Sequence, residues 1–408
     1  MRILLVTPSP PDATAPGAIP ALQHAELHGL ATRNEITLVC VAGPDPAEHD
    51  AVARLRAEGF DVHAAMRTEP RGAARWRRRA RFARLWLVRR WPWRTVWFYE
   101  PEAQRIIDRL LRERRFDVIA VDDDAAAVYD FGAGVPAVLT QCEVGRSLPS
   151  ATGSRLADML LERDFRRWPR YQRETSRLFS RILVFSARDR DDLVALDPGL
   201  RDRVRVTPFG IDIPELADGR IVPDTLMFAG DYTHPPNVDA ARWLALDILP
   251  RVRERRPGAR LQLLGIHAPG EILALGARDG VEVLGAVPDL APFFARAAVV
   301  MAPVRIGGGM RMKVLHAMAS GKAVVTTPLG GEGLSEDGAP PLALGADAEA
   351  LARVTADLLA DPAACAELGA RARAFVVERY GPDAFARRLE RVYQEAVAAG
   401  PRRTRDAA

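Results

Sequence analysis

Apolar runs the length of a β-strand alternate with helical stretches along most of the chain, and this alternation constrains the fold more than any other feature. The run at residues 2–8 is continuous and ends in proline, which is typical of a strand buried on both faces of a parallel sheet. Comparable runs follow at 35–41, 116–124, 135–143, 180–186 and 202–212. The pattern predicts an α/β fold in which helices cover parallel sheets.

The alternation pauses at residues 213–224, which are rich in proline, glycine and acidic residues, and then restarts. A chain of 408 residues also exceeds one ordinary core. We therefore expect two doubly wound Rossmann-like domains facing a cleft, 1–212 and 225–381, joined by that linker. A helix at 382–399 and a polar tail at 400–408, predicted to be disordered, end the chain. Ligands of such sheets bind at the carboxyl ends of the strands.

Three glycines at 307–309 precede Arg311 and Lys313, at the predicted start of a helix over 310–320. Cations in a first helical turn oppose the helix dipole, so a negative ligand is expected nearby. Met312 stands where a dinucleotide fingerprint needs its last glycine, and no Gly-Lys-Ser/Thr follows, as a triphosphate loop requires. A nucleotide-sugar diphosphate fits the charges, and a plain glycine turn before a surface helix is the alternative.

Lysine is rare in this chain, which strongly prefers arginine. Lys313 and Lys322 are its only lysines among 57 basic residues, and they lie within ten residues of each other. A compact ammonium suits a phosphate as a point charge. The pairing adds a weaker indication that this region binds an anion.

Residues 303–334, PVRIGGGMRMKVLHAMASGKAVVTTPLGGEGL, resemble the donor-binding region of family 4 retaining glycosyltransferases (glycosyl transferases group 1). The family motif combines a glycine-rich loop, Arg-x-Lys, Leu-Glu-Ala-Met-Ala, Val-Val-x-Thr and Gly-x-Glu-Gly-Leu. The resemblance covers most of 180–395 and is loose over 1–150. It implies the GT-B fold, with the acceptor in the N-terminal domain and the nucleotide-sugar in the C-terminal domain. It also implies no metal or other cofactor, and a final helix that packs back on the first domain.

The same resemblance assigns donor-binding roles. Arg311 and Lys313 are expected to stabilise the leaving diphosphate, which is an electrostatic form of catalysis. The full predicted donor set is Gly230, Gly308, Gly309, Met310, Arg311, Lys313, His316 and Glu332. The sequence departs from the family because Gly308 and His316 stand where two glutamates are common. His316 could accept from a ribose hydroxyl only through an unprotonated ring nitrogen, and a purely structural helix histidine is the alternative.

Acidic residues end two strands of the first half. Asp122, Asp123 and Asp124 follow one strand, and Glu143 ends the next. We predict that Asp123 is catalytic, contacting the acceptor hydroxyl or the transferring sugar, and the alternative is a helix cap in a solvated loop. The predicted acceptor set is Gly17, Asp122, Asp123 and Glu143.

Residues 71–98 hold ten arginines and no acidic residue, whereas the whole chain has a formal net charge of only +4. The remainder is therefore acidic, which argues against a general nucleic-acid surface. Plotted as a helix, Trp76, Ala80, Ala83, Trp86 and Leu87 share one arc. Arginine with tryptophan suits an anionic lipid interface, and a helix with inward tryptophans is the alternative. The predicted membrane-facing residues are Arg77, Arg78, Arg81, Arg84 and Trp86.

No apolar run is long enough to span a membrane, and the start turns to proline too early for a signal peptide. The three scattered cysteines form no metal or disulfide pattern. We predict a cytoplasmic enzyme, peripheral on the inner face of the cell membrane. It would move a hexose or related sugar, with retention and without a metal, from a nucleotide diphosphate. The acceptor would be a glycan or a lipid-linked intermediate of surface polysaccharide or glycoconjugate synthesis, and no nucleic acid is expected as a partner. The alternatives are a nucleotide-sugar epimerase of the same fold and a non-catalytic nucleotide-sugar-binding homologue.

Overall fold

The computed structural model describes residues 1–15, 18–67, 72–142, 144, 155–216, 219–306, 312–334 and 339–402. The chain divides into two compact units. The first comprises Met1–Gly210 together with Pro382–Ala408, and the second comprises Ile211–Gly381.

The first unit is built on a parallel sheet of seven strands among the described residues, in the order β3-β2-β1-β4-β5-β6-β7. The strands are β1 (Arg2–Thr7), β2 (Glu35–Ala42), β3 (Asp61–Met66), β4 (Val118–Asp122), β5 (Ala137–Thr140), β6 (Arg181–Val184) and β7 (Val204–Val206). Strand β1 lies between β2 and β4, and its central side chains are fully buried because helices cover both faces.

Helices connect these strands. They are α1 (Ala18–Ala31), α2 (Pro46–Ala57), α3 (Ala73–Leu87), α4 (Trp93–Phe98), α5 (Pro101–Glu113), α6 (Arg155–Phe165), α7 (Trp168–Ser176) and α8 (Ala187–Leu196). Helix α8 begins as the sequence indicates, because the Ser186 side chain accepts from the backbone N–H of Asp189.

The second unit repeats this plan. Its parallel sheet has six described strands in the order β10-β9-β8-β11-β12-β13. They are β8 (Thr225–Ala229), β9 (Arg260–Leu264), β10 (Val281–Gly285), β11 (Val299–Ala302), β12 (Ala323–Thr326) and β13 (Ala343–Leu344). The helices are α9 (Pro235–Trp243), α10 (Leu249–Arg255), α11 (Gly270–Leu273), α12 (Ala291–Arg296), α13 (Met312–Ala319), α14 (Ala348–Ala360) and α15 (Pro362–Tyr380). Both sheets share the doubly wound order, so the predicted α/β class is confirmed.

The last helix, α16 (Pro382–Ala399), belongs to the first unit and packs against α1. The approach is close at Gly29, where an added Cβ would lie 2.6 Å from the carbonyl oxygen of Pro382. Only glycine therefore fits at this point of α1. The tail is described as far as Arg402, and the carbonyl of Gly400 accepts from the Ser180 hydroxyl at 2.7 Å.

The structure differs from the sequence pattern in two places. The sequence of residues 237–257 alone predicts one continuous helix, but the structure has a π-helical turn at Leu244–Ile248 between α9 and α10. Pro250 lies just beyond that turn and has no N–H to donate, so the regular helical ladder is interrupted there. Strand β3 was not evident because it lies at an edge of the sheet and only part of it is buried, which leaves no continuous apolar run.

Candidate functional site

The carboxyl end of the second sheet contains the predicted donor residues that the structure describes. Helix α13 begins at Met312, so Lys313 lies in its first turn, where no acidic residue is present. The ammonium of Lys313 donates to Oδ1 of Asn237 and lies 4.8 Å from the centre of the Phe228 ring. The ring face and the amide oxygen thus hold the cation near the ends of β8 and α9.

Asn237 is buried and links Lys313 to the loop after β8. Its Nδ2 donates to the carbonyl oxygen of Asp231 at 2.6 Å. Gly230 is required beside it, because a Cβ there would lie 2.9 Å from the Asn237 amide. The predicted donor residue Gly230 therefore makes room for the residue that positions Lys313. The sequence suggested only that Asn237 was a cleft residue or shaped a helix start.

Threonine side chains fix the segment that leads into the glycine loop. Thr326 and Thr327 donate to the carbonyl oxygens of Ala302 and Val304 respectively, and all four residues are buried. The Thr327 hydroxyl also accepts from the N–H of Gly330 at 3.0 Å. The loops after β11 and β12 are thereby held together at the edge of the sheet.

Two further side-chain pairs at this edge could not be predicted from the sequence. The Arg305 guanidinium makes a two-pronged contact with Asp239, at 2.6 and 3.1 Å, and lies 4.4 Å from the Trp243 ring centre. The two partners are far apart in the sequence, so no short motif predicts their contact. The carboxyl end of the second sheet therefore carries an arginine held by its contacts, as well as Lys313.

The second pair joins Asp231, after β8, to His267, after β9, at 3.1 Å. Burial alone would raise the pKa of Asp231, but hydrogen bonds from Thr233 and His267 lower it. His267 has a positive φ of 58°, which is strained for a residue with a side chain.

His316 lies one turn after Lys313 on α13 and is half-buried. Burial lowers the pKa of His316, although the Asp212 carboxylate opposes the shift. A lowered pKa keeps the ring neutral near pH 7, and a neutral ring has one nitrogen able to accept a hydrogen bond. The ribose contact predicted for His316 needs this protonation state.

Of the remaining donor predictions, one is an exposed residue and the others lie outside the described residues. Glu332 is exposed in the turn after β12. Gly308, Gly309, Met310 and Arg311 lie outside the described residues, as do Gly17 and Glu143.

Lys322, the second lysine, lies away from this edge. Its ammonium is buried and donates to the carbonyl oxygens of Ala295 and Ala297, at 3.0 and 3.1 Å, where α12 ends. Burial lowers the pKa of Lys322. Gly321 closes α13 with a positive φ, as the sequence indicates, and the N–H of Lys322 bonds the Ala317 carbonyl. Lys322 thus stabilises the unit, and the closeness of the two lysines in sequence does not reflect a shared site.

In the first unit, Asp122 is buried at the end of β4 against α1. Burial raises the pKa of Asp122 to about 6. Burial and the adjacent Asp122 carboxylate raise the pKa of Glu26 well above its ordinary value. The Tyr393 hydroxyl of α16 donates to Glu26 at 2.9 Å. Two buried carboxyl groups in contact favour retention of a proton between them. The predicted acceptor contact of Asp122 would need access to this buried position.

Asp123 and Asp124 are also buried, and both have partners. Asp123 adopts a positive φ of 68°, accepts from the N–H of Ala125 and pairs with Arg94 at 2.8 Å. Asp124 accepts from the side chains of Gln141 and Gln172. These contacts fix the loop after β4. They leave the Asp123 carboxylate almost fully buried.

The predicted membrane-facing residues separate into two groups. Arg77 and Arg84 are exposed on α3. Arg78, Arg81 and Trp86 are half-buried, and Trp86 donates from Nε1 to Asp164 at 2.8 Å with Arg167 stacked on it at 4.4 Å. None of the described helices is both long enough and apolar enough to cross a bilayer.

Comparison with solved structures establishes the class of fold. HepE from Anabaena in complex with UDP aligns with a TM-score of 0.61 at 14% identity, covering 97% of this chain and 100% of HepE. Sucrose-phosphate synthase from Thermosynechococcus elongatus aligns at 0.62 and 17%, covering 98% and 100%. A mutant of S. aureus TarM, solved with Fondaparinux, alpha-GlcNAc-glycerol and UDP, aligns at 0.63 and 9%, covering 96% and 100%. The chain has the two-unit GT-B fold of these proteins.

A family model matches a smaller part of the chain. Residues 223–361, about a third of the chain, match the family described as Glycosyl transferases group 1, so this part is similar to a group 1 glycosyltransferase domain. The match spans all six described strands of the second unit, and it includes Lys313, Asn237 and His316. No curated protein sequence matches the chain.

Proposed function

We propose that this chain is a retaining glycosyltransferase that uses a nucleotide-diphosphate sugar as donor. The observation that carries the proposal is the position of Lys313 within the group 1 domain, at the carboxyl end of the sheet and in the first turn of α13. A cation there, next to helix N–H groups, is suited to a diphosphate that gains charge as it leaves. HepE structures with UDP, with UDP and glucose, and with UDP-glucose support this donor class.

In the proposed reaction, the bond between the sugar C1 and the diphosphate oxygen breaks, and the acceptor oxygen bonds to C1 on the same face. The acceptor proton passes to the departing diphosphate, so no protein nucleophile is needed. Lys313 and Arg311 would neutralise the leaving group, which removes the need for a bound metal. His316, in its neutral form, would accept from a ribose hydroxyl.

On the acceptor side, we assign Asp123 a positioning role, because its carboxylate holds Arg94 at the end of β4. The acceptor class we propose is a glycan or a lipid-linked intermediate in surface polysaccharide or glycoconjugate synthesis. TarM was solved with Fondaparinux and alpha-GlcNAc-glycerol, which supports a glycan-like acceptor. Cytoplasmic location at a membrane surface is part of the same proposal.

The test combines binding and turnover. Nucleoside diphosphates of each base should raise the melting temperature of the full chain, and one base should do so most strongly. Release of that diphosphate from its sugar donor should require an added acceptor. Release of diphosphate or an epimerised sugar without acceptor would contradict transfer, and tight binding with no turnover on any donor would identify a binding homologue.

A further inference from the structure

The outer face of α3 is apolar, which is the reverse of the usual arrangement. Trp76, Ala80, Ala83 and Leu87 recur at spacings of four, three and four residues, so they share one face of the helix. All four are exposed, with Trp76 at 70% and Leu87 at 60%. A surface helix normally turns such a stripe toward the core. The stripe is therefore left largely exposed to solvent.

The other side of α3 holds the helix in place. Phe82 meets the Trp93 ring of α4 edge-on, with centroids 4.2 Å apart, and Arg78 lies 5.7 Å from the Trp97 ring centre. The carboxylate of Asp164, on α6, accepts from both Trp86 Nε1 and the N–H of Trp93. The orientation of α3 is thus fixed by contacts that do not involve the exposed stripe.

Exposed arginines flank the stripe. These six arginines lie on α3 or just after it, and they are Arg75, Arg77, Arg79, Arg84, Arg89 and Arg90. Within the described part of the chain, no carboxylate forms an ion pair with any of them. Arg79 instead lies 5.5 Å from the centre of the exposed Trp76 ring. This side of the first unit therefore presents positive charge that no carboxylate among the described residues neutralises.

Helix α6, which contacts α3 through Asp164, also has exposed apolar side chains. Leu160 and Leu161 precede Asp164 by four and three residues, so they lie on the side of α6 that contacts α3 and α4. Both are exposed, and so is their neighbour Met159. We call the four stripe residues of α3, together with the six arginines, the cationic–apolar surface.

We infer that the cationic–apolar surface docks onto an anionic lipid membrane. Lipid phosphates and anionic headgroups would meet the arginines, while Trp76 and Leu87 would enter the boundary between headgroups and acyl chains. A second copy of this chain fits poorly, because a symmetric contact would place arginine against arginine. The inference rests on the proposed function in one respect: docking would bring the enzyme to a lipid-linked acceptor.

The experiment uses the full chain and vesicles without donor or acceptor, so its failure counts against the membrane location and leaves the proposed sugar-transfer reaction untouched. Co-sedimentation is measured with phosphatidylcholine vesicles and with vesicles containing 30% phosphatidylglycerol. We expect binding only to the anionic vesicles, weakening as salt shortens the screening length. Arg77→Gln with Arg84→Gln should lower the partition coefficient about 30-fold, and Trp76→Ser with Leu87→Ser about tenfold.

A matched control carries Arg278→Gln, Arg371→Gln and Leu273→Ser, which are equally exposed changes in the second unit. Its binding should equal that of the unaltered chain, and all variants should keep the same melting temperature. The inference is overturned by equal binding to both vesicle types or by variants that bind as well as the control. It is also overturned by a dimer that Trp76→Ser with Leu87→Ser dissociates, or by tighter binding to duplex RNA than to anionic vesicles.

Discussion

The carboxyl ends of the two sheets differ, although the sheets share a strand order. In the first unit, Asp122, Asp123 and Asp124 are all buried and engaged by neighbours of the same unit. In the second unit, the charged groups are partly exposed, and cations such as Lys313 and Arg305 are prominent. One edge is acidic and buried, whereas the other carries both cations and carboxylates and is partly exposed.

The difference shows that two sheets with the same strand order can have different binding properties. The sheet order brings the loops of each unit to one edge, but the loop residues decide what that edge can bind. A buried carboxylate with protein partners stabilises its loop, whereas a half-exposed cation is available to an anionic ligand. Each of the following changes tests one side of this contrast.

The largest effect is expected for Lys313→Ala. Loss of a donor that stabilises a leaving group lowers kcat about 10²–10³-fold, while the fold should be little affected. The control is Lys322→Met, which leaves the carbonyls of Ala295 and Ala297 unpaired and should cost about 2 kcal/mol of stability without changing kcat. Steady-state kinetics and chemical denaturation measure the two quantities. Similar kinetic losses in both variants would remove the distinction between the lysines.

The next effect concerns the acidic, buried edge. Asp123→Ala removes the Arg94 partner and places alanine at a positive φ, so the free energy of unfolding should fall by about 3 kcal/mol. Asp123→Asn tolerates that backbone and still accepts from the Ala125 N–H, so it should lose about half as much. Urea denaturation gives both values. An Asp123→Ala variant as stable as the unaltered chain would show that the cluster does not stabilise the loop.

A pH effect is expected from Glu26 and Asp122. Their folded pKa values are raised by burial, so the native state holds more protons than the unfolded state above about pH 4. The contribution of this pair to stability should therefore be greatest on the acid side and fall as the pH rises through about 6, by at most about 1.4 kcal/mol per pH unit for each group.

Glu26→Gln tests this assignment, because glutamine keeps an acceptor for the Tyr393 hydroxyl and cannot ionise. The variant should show a flatter dependence of unfolding free energy on pH between 4 and 7. Denaturation series at fixed pH values provide the comparison. An unchanged slope would mean that other groups govern the pH dependence.

The smallest effect is expected at His316. Replacement by leucine removes one acceptor of a ribose hydroxyl and should weaken nucleoside diphosphate binding about fivefold to tenfold. Glutamine keeps an acceptor and should weaken binding less than leucine does. Titration calorimetry at pH 7.5 compares the two. Equal affinities of both variants and the unaltered chain would leave His316 with a structural role alone.

The sequence predicts the fold well because strands buried on both faces leave continuous apolar runs, as in β1 and β11. It also predicts local signals such as the Ser186 cap, which depend on residues a few positions apart. The edge strand β3 and the break before Pro250 are less visible, since partial burial and a single π-helical turn leave weak patterns.

Site residues could be predicted only where they belong to a recognised sequence motif. The pattern around Lys313 indicates an anion site, but nothing in the spacing shows that Asn237 and Phe228 hold the ammonium, because they are more than 70 residues away in sequence. The same limit applies to Arg94 with Asp123 and to the inverted face of α3. Residues far apart in the chain meet only through the packing of several elements.

The return of α16 to the first unit has a consequence for biosynthesis. Glu26 is made before the second unit, but Tyr393, which hydrogen-bonds it, is made after the second unit. The nascent first unit must therefore wait, with α1 uncapped by α16, while the whole of the second unit is translated. A stop codon before residue 382 would leave the second unit intact, but the first unit would lack α16 and the Tyr393 partner of Glu26.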